Sequence, residues 1–509
     1  MTKHSYEQQN MNCSMIQHST INGKFIMIKK TFITTFFLTI YLFSSFISAQ
    51  DLSIKSSELL KTVSYLSSPE LQGRIPGHVG YETAANFIAD EFEKMNLKKY
   101  MKDGYKQKLL VEYNEIKSQV VFNIINREGN KTKYKLGDDF ILRGFTGSGK
   151  FKADVVFAGY GISQPDKGYD DYAGIDVKGK VVLVFKYNPA WKIGEVPFDN
   201  GNPREKTQVA KDHGAIGVLM ASFPNDKIPQ APIGSLINGK GEQLLDMPQI
   251  HIDLPLADNL FEGSGTTLKM MQSAIDTEKR PHSIALLNKV KIEVKAEYKK
   301  EVETWNIAGI IEGSDPVLKN EYIILGAHLD HVGGQGDGEI YFPGANDNAS
   351  GSAAVLEIAR TLSKLENKPK RSIIIVLFAS EELGLNGSTF FANNLNIPKE
   401  NIKSMFNMDC VGYGDSIQVG GGIDNKEMWD LAKSIDDKND RLMTSNTWKG
   451  GGADAEPFYR NGIKTLYFVT TNSYAHLHKL SDKVETLNAK LFEAITRLTY
   501  RTLYEAANI

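Results

Sequence analysis

The sequence predicts an α/β fold: a mixed central sheet flanked by helices, interrupted by an inserted β-rich module. Three observations predict it. From about residue 300 onward, short apolar runs alternate with stretches of helical periodicity, the pattern of a sheet covered by helices. Between roughly 140 and 290 the chain reads as short strands set off by glycines. Histidines and carboxylates fall at or just after the ends of the late apolar runs, where α/β sheets bind their ligands.

At the N-terminus, residues 1–26 are largely polar and precede a segment laid out as an export signal. Lys29 and Lys30 open it, Phe32 to Ile47 are mostly apolar, and Ser48-Ala49-Gln50 close it with small or polar residues. At about 16 residues the apolar run is short for a membrane span. Residues 27–50 therefore read as a signal peptide cleaved near Ala49 or Gln50, and 1–26 as a non-native extension ahead of a start at Met27. No cysteine sits at the cleavage site, so neither lipid attachment nor a stable membrane anchor is expected. The expected location is periplasmic or secreted. The 509-residue chain has a formal net charge of −2, which offers no electrostatic case for nucleic acid. Its two cysteines are Cys13 and Cys410. Cleavage would leave Cys410 alone, with no internal disulfide and the core or a metal carrying stability.

Helical periodicity is expected from Ser53 to Leu66, then a loop "SSPELQGRIPG", then a second helix from Gly80 to Leu97 with Ala84, Phe87, Ile88, Phe92 and Met95 on one face. Strands follow at Gln107–Tyr113 and Val120–Ile125. In the inserted module, 153–163 and 179–189 read as strands, and 204–222 as a helix, a turn and a buried strand. The later strands are "EYIILGAH", "RSIIIVLFAS", "IKSMFNMD" and "IKTLYFVT", with a helix in "SGSAAVLEIARTLSKL". The expected domains are 51–140 with 291–509 as one discontinuous unit, and 141–290 as the insert.

Five late segments each deliver a metal-capable side chain: His328 with Asp330, Asp347, Glu381 with Glu382, Asp409, and His478 (beside His476) with Asp482. Singly each has a plain reading as a cap, a turn or a surface residue. Together they would make a pocket of carboxylates that is unstable without a counter-charge. Imidazole and carboxylate with no thiolate suit Zn²⁺, with Mn²⁺ or Co²⁺ as substitutes. Two histidines and three carboxylates suit a metal pair sharing one bridging carboxylate.

In order, "HLD", "GANDNASG", "EELGLNGS", "NMD" and "HKLSD" resemble the two-zinc exopeptidase family of secreted bacterial aminopeptidases and glutamate carboxypeptidases, over about 51–140 and 300–509. The middle resembles the protease-associated domain often inserted in those enzymes. The resemblance implies a zinc exopeptidase fold and two Zn²⁺ per chain. One zinc would be held by His328 and Asp409, the other by Glu382 and His478, with Asp347 as the bridge. It implies Glu381 as the general base that takes a proton from the attacking water and passes it to the leaving amine. Asp330 would orient His328 from behind, and Asp482, at the family's spacing after His478, marks that histidine over His476.

One departure is "GGGADAEPF", which keeps Asp454 but has Ala455 where the family often has histidine. Asp454 is a candidate substrate contact. Cys410 reads as a buried small residue. The implied activity is removal of N-terminal residues from peptides. A carboxypeptidase, a glutaminyl cyclase and a non-catalytic binding protein are the alternatives. The stretch after His478 is too short for the helical dimerisation domain of the carboxypeptidases, the insert is foreign to the compact cyclases, and the ligand set is complete.

Overall fold

The computed structural model describes residues 53–194, 197–199, 201–237, 239 and 241–509. The expected extension 1–26, the signal segment 27–50 and Cys13 lie outside these residues. Among the described residues no helix is long and apolar enough to cross a membrane.

The central sheet has eight strands. Its middle is four parallel strands, in spatial order Ser372–Phe378, Tyr322–His328, Ile402–Met408 and Thr465–Thr470. Every residue of the first and last of these is buried. That explains their continuous apolar runs, since parallel strands covered on both faces have no solvent side to keep polar. Antiparallel strands border them, Ala296–Ile311 on one side and Ile417–Gly420 on the other. Ala296–Ile311 also pairs with Lys98–Lys99 and Lys106–Ile116, so the sheet is mixed.

Helix Gly351–Ser363 packs on strand Tyr322–His328. It also meets helices Ser56–Leu66 and Ala489–Asn508. The last begins where the Asn488 side chain accepts from the Leu491 amide at 3.3 Å, a side-chain cap on an otherwise orphaned donor. It then buries Leu491, Ile495, Leu498 and Leu503 along one stripe. Helices Asn386–Asn393 and Ala455–Arg460 pack together elsewhere on the sheet, joining Phe378, Phe391 and Phe458 in one apolar cluster.

A second eight-stranded sheet forms the inserted module. Strands Gly149–Phe157, Val181–Phe185, Gly217–Ala221 and Gln249–Ile252 run parallel at its centre. Ile284–Val294 joins Gly149–Phe157 to Val121–Ile125, and Phe140–Leu142 pairs with Gln249–Ile252. The boundary expected at 141 is therefore corrected. Strands 121–125, 131–134 and 140–142 belong to the second sheet, and the module runs from about Val121 to Val294. The physical reason is non-local pairing: the partner of Val121–Ile125 lies more than 150 residues later. At the crossing between modules the two chain passages touch, the Lys117 amide donating to the Lys295 carbonyl at 2.8 Å.

Candidate metal centre

The parallel strands deliver their side chains to one place. His328 ends its strand, Glu381 and Glu382 follow Phe378 closely, and Asp409 follows Met408. Asp347 lies in the loop before helix Gly351–Ser363. His478 comes after strand Thr465–Thr470. Asp347 stands in the middle with its two oxygens divided. Its Oδ1 is 3.3 Å from His328 Nε2, which is also 3.4 Å from Asp409 Oδ1. Its Oδ2 is 3.1 Å from His478 Nε2, which is also 3.0 Å from Glu382 Oε2. Two ligand groups result, His328–Asp347–Asp409 and His331–Asp347–Glu382–His478. The five expected ligands His328, Asp347, Glu382, Asp409 and His478 lie in these two groups, and part-exposed Glu381 precedes Glu382 in the chain.

The supports differ from the sequence expectation. The Asp330 carboxylate accepts from the Glu381 amide at 3.1 Å and the Glu382 amide at 3.2 Å. His328 Nδ1 donates instead to the Asp330 main-chain carbonyl at 3.2 Å, with the carboxylate at 3.7 Å. Asp330 therefore sets the turn that carries both glutamates more than it aims the imidazole. Asp482 accepts from the Asn346 amide at 2.8 Å and the Asp347 amide at 3.0 Å, so it fixes the central carboxylate and not His478. His478 Nδ1 donates to the Gly234 carbonyl at 3.1 Å, and the Gly234 amide donates to the His478 carbonyl at 2.9 Å. Tyr467 Oη donates to Asp409 Oδ2 at 2.9 Å. The Asp330 and Gly234 carbonyls and Tyr467 thus occupy one atom each of His328, His478 and Asp409 and leave the other for a cation.

Electrostatics follow from burial and proximity. Burial alone would raise the Asp347 carboxyl, but His328 and His478 outweigh it and hold it well below the usual carboxylate range. Burial likewise works against Glu382, yet His478 draws it to about 2. Both imidazoles go well above the ordinary histidine value, since Glu381, Asp347 and Asp409 around His328, and Glu382 and Asp347 around His478, overcome burial. Glu381 is pushed well above the usual range by burial, with Glu382, Asp454 and Asp409 adding repulsion against the pull of His328. The cluster suits a cation chemically. The donors are imidazole nitrogen and carboxylate oxygen, the Zn²⁺ set, and Asp409 Oδ1, which lies 3.4 Å from His328 Nε2, is buried with no hydrogen-bond partner.

The sequence profile of peptidase family M28 matches residues 306–503, and that of the PA domain matches 151–260. The chain carries a peptidase family M28 domain. It is 25% identical over 472 residues to Aminopeptidase YwaD of Bacillus subtilis, covering 90% of this chain and 86% of that one. A Peptidase M28 precursor from Shewanella amazonensis shares the fold at TM-score 0.67 and 18% identity, over 91% of this chain and 96% of the other. The zinc aminopeptidase BSAP of Bacillus subtilis does so at TM-score 0.59 and 21% identity, over 89% and 95%. The fold is that of the M28 peptidases with an inserted PA domain, and the family places the chain among hydrolases.

Besides Tyr467, the residues around the centre that escaped the sequence reading include His331, Arg74 and Gly234. His331, the second histidine of "HLDH", is fully buried and its Nδ1 lies 2.8 Å from Glu382 Oε1. Its spacing after His328 was the available signal. Arg74, in the early loop, donates from Nε to the Leu329 carbonyl at 2.8 Å, from Nη1 to Leu66 and to Pro343 at 2.9 Å, and from Nη2 to Gly344 at 3.0 Å. It ties the His328 loop to the Asp347 loop. Gly234 comes from the PA domain, and a Cβ there would stand 2.7 Å from Val332 Cγ2 and 3.0 Å from the Phe342 ring. Gly344 is similarly required: φ is +59° and a Cβ would meet His331 at 2.5 Å.

Asp454 does not sit on the cleft. It is fully buried, neither carboxylate oxygen has a hydrogen-bond partner, and burial raises it to about 7. Direct substrate contact does not match that placement. Ala455 beside it packs into the Phe378–Phe391–Phe458 cluster. Cys410 is buried, and His476 turns away to Ser481 Oγ at 2.9 Å. Beyond Glu382, Leu383 and Gly384 open onto a cleft of about 1120 Å³, whose opposite wall includes Leu236 and Ile237 of the PA domain.

Proposed function

We propose that the chain is an exported zinc aminopeptidase with two zinc ions per chain. The division of Asp347 between two ligand groups carries the reading. His328 and Asp409 would hold one ion, Glu382 and His478 the other, and Asp347 would bridge. The zinc pair would supply Lewis-acid polarisation of the scissile carbonyl and acidify the attacking water. Glu381, part-exposed and anchored through its amide to Asp330, is the general base. It accepts the water proton and returns it to the leaving amine. Asp330, Asp482, Tyr467, Gly234 and Arg74 keep the ligands in place. The cleft between the M28 and PA domains is the route for a peptide, and the aminopeptidase similarity supports attack at a free N-terminus. Export rests on the layout of residues 27–50.

The test is one apolar tripeptide against its N-acetylated twin, each with and without chelator, with the chain from Asp51 onward. Release of the N-terminal residue from the free amine only, abolished by chelator and restored by Zn²⁺, is expected. Cleavage of the acetylated form at its C-terminal end would replace the reading with a carboxypeptidase. Sequencing the mature protein from an exporting host tests export, with Gln50 or Asp51 expected first.

A further inference from the structure

The PA domain buries three cation-forming side chains together. Arg143 and Lys186 are each 4% exposed and His251 is 0% exposed. Burial lowers Lys186 to about 6 with Arg143 adding to it, and burial, Lys186 and Arg143 all lower His251. Arg143 Nη2 donates to Ser235 Oγ at 2.9 Å and to the Ile237 carbonyl at 3.1 Å. Its Nε and Nη1 are buried with no partner. Lys186 Nζ donates to Gln230 Oε1 at 2.5 Å and lies 5.0 Å over the Tyr187 ring. His251 accepts on Nδ1 from the Ile233 amide at 3.4 Å and meets Ser222 Oγ through Nε2 at 3.2 Å. No carboxylate is among the groups that act on Arg143 or Lys186.

The same chain compensates its other buried cations. Arg74 donates to four carbonyls and feels Asp347, Asp330, Asp482 and Glu382. Lys206 donates to the carbonyls of Tyr160, Phe185 and Tyr187 and feels Asp171. Only the Arg143–Lys186 group, among these, lacks the anion that a buried charge requires. Its position is also particular. Gly234 grips His478, Leu236 and Ile237 line the cleft, and Ser235 and Ile237 are held by Arg143. One short segment thus links the cationic group, the cleft wall and a metal-ligating histidine.

We propose that Arg143 and Lys186 form a binding site for a small carboxylate behind the wall of the cleft. A carboxylate oxygen would take up the unspent guanidinium N–H groups and the ammonium, as charge-assisted hydrogen bonds do. Two sources share this chemistry: the C-terminal carboxylate of a peptide in the cleft, and a free carboxylate. Either would stiffen the segment that holds His478.

The experiment uses the zinc-loaded full chain in chloride-free buffer, with sodium acetate as the probe, by calorimetry and thermal unfolding. Arg143→Met and Lys186→Met are compared with wild type. The expected result is an acetate-binding event in wild type, with a rise in unfolding temperature, that both variants lack. Acetate bound at the metal centre would persist in the variants and is thereby separated. Without acetate, both variants should unfold at or above the wild-type temperature, because Arg143→Met deletes an uncompensated buried charge and Lys186→Met replaces an amine that burial disfavours charging. No acetate effect on wild type beyond that kept by the variants overturns the proposal. A second arm, which rests on the peptidase reading, compares a tripeptide with its C-terminal amide. A rise in KM of about tenfold for the acid alone in Arg143→Met assigns the site to the peptide. An equal response of both substrates, with acetate still binding, assigns it to a free carboxylate. The acetate arm needs no turnover, so failure of the site and failure of the peptidase reading are distinguishable.

Discussion

Replacing Arg74 should loosen the metal centre without touching a ligand. Its guanidinium is fully buried and donates to Leu66, Leu329, Pro343 and Gly344 carbonyls on three separate segments. Arg74→Met leaves the Leu66, Leu329 and Pro343 carbonyls unpaired, while the Gly344 carbonyl keeps the Ala349 amide at 3.1 Å; at about 1 kcal/mol or more each, the expected loss is roughly 3 kcal/mol. In the loops at 329–333 and 343–350 that corresponds to about a hundredfold faster amide exchange when these segments open locally. Arg74→Lys keeps the charge beside Asp347, Asp330, Asp482 and Glu382, but an ammonium is a point donor and cannot span three segments. It should recover about half of the loss or less. Hydrogen exchange read by mass spectrometry, with the urea midpoint alongside, measures both variants. Wild-type exchange in Arg74→Met would refute the tether. Wild-type exchange in Arg74→Lys would show that charge alone, not the forked geometry, does the work.

Glu381→Gln should keep its zinc content and lose activity by about 10²–10⁴-fold, checked by metal analysis and tripeptide turnover. His331→Ala should weaken zinc at the Glu382–His478 side by about 10–100-fold, read by chelator competition. Stripping metal should lower the unfolding temperature, and zinc at a hundredfold excess over its Kd should restore about 2.7 kcal/mol. In anion-free buffer, Lys186 has a folded pKa of about 6 against an ordinary 10.5. Between those values the unfolded chain binds the extra proton, so stability should rise with pH across that window. Lys186→Met should flatten the rise, which urea midpoints at pH 6.5 and 9 will show.

Much of the centre was legible because of where parallel strands end. Buried strands such as Ile402–Met408 announce themselves as apolar runs, and the first polar residues after them, Asp409 or Glu381 and Glu382, must lie at one edge of the sheet. The carboxylates could be grouped from sequence since so many like charges at one edge require a cation. Asp454 was misplaced because sequence does not distinguish a loop at the cleft from one folded beneath it.

The sequence by itself determined the strand–helix alternation, the five motifs and the chemistry of their donors, because these depend on local periodicity and residue type. Only the tertiary structure decided which oxygen of Asp347 faces which histidine, that Asp330 and Asp482 hold loop amides instead of imidazoles, and that Val121–Ile125 pairs with Ile284–Val294. The same holds for Arg74 and Gly234, which reach the centre from about 250 residues away in the chain. Such contacts arise from long-range packing and hydrogen-bond satisfaction, and no local pattern encodes which distant carbonyl a buried guanidinium will find.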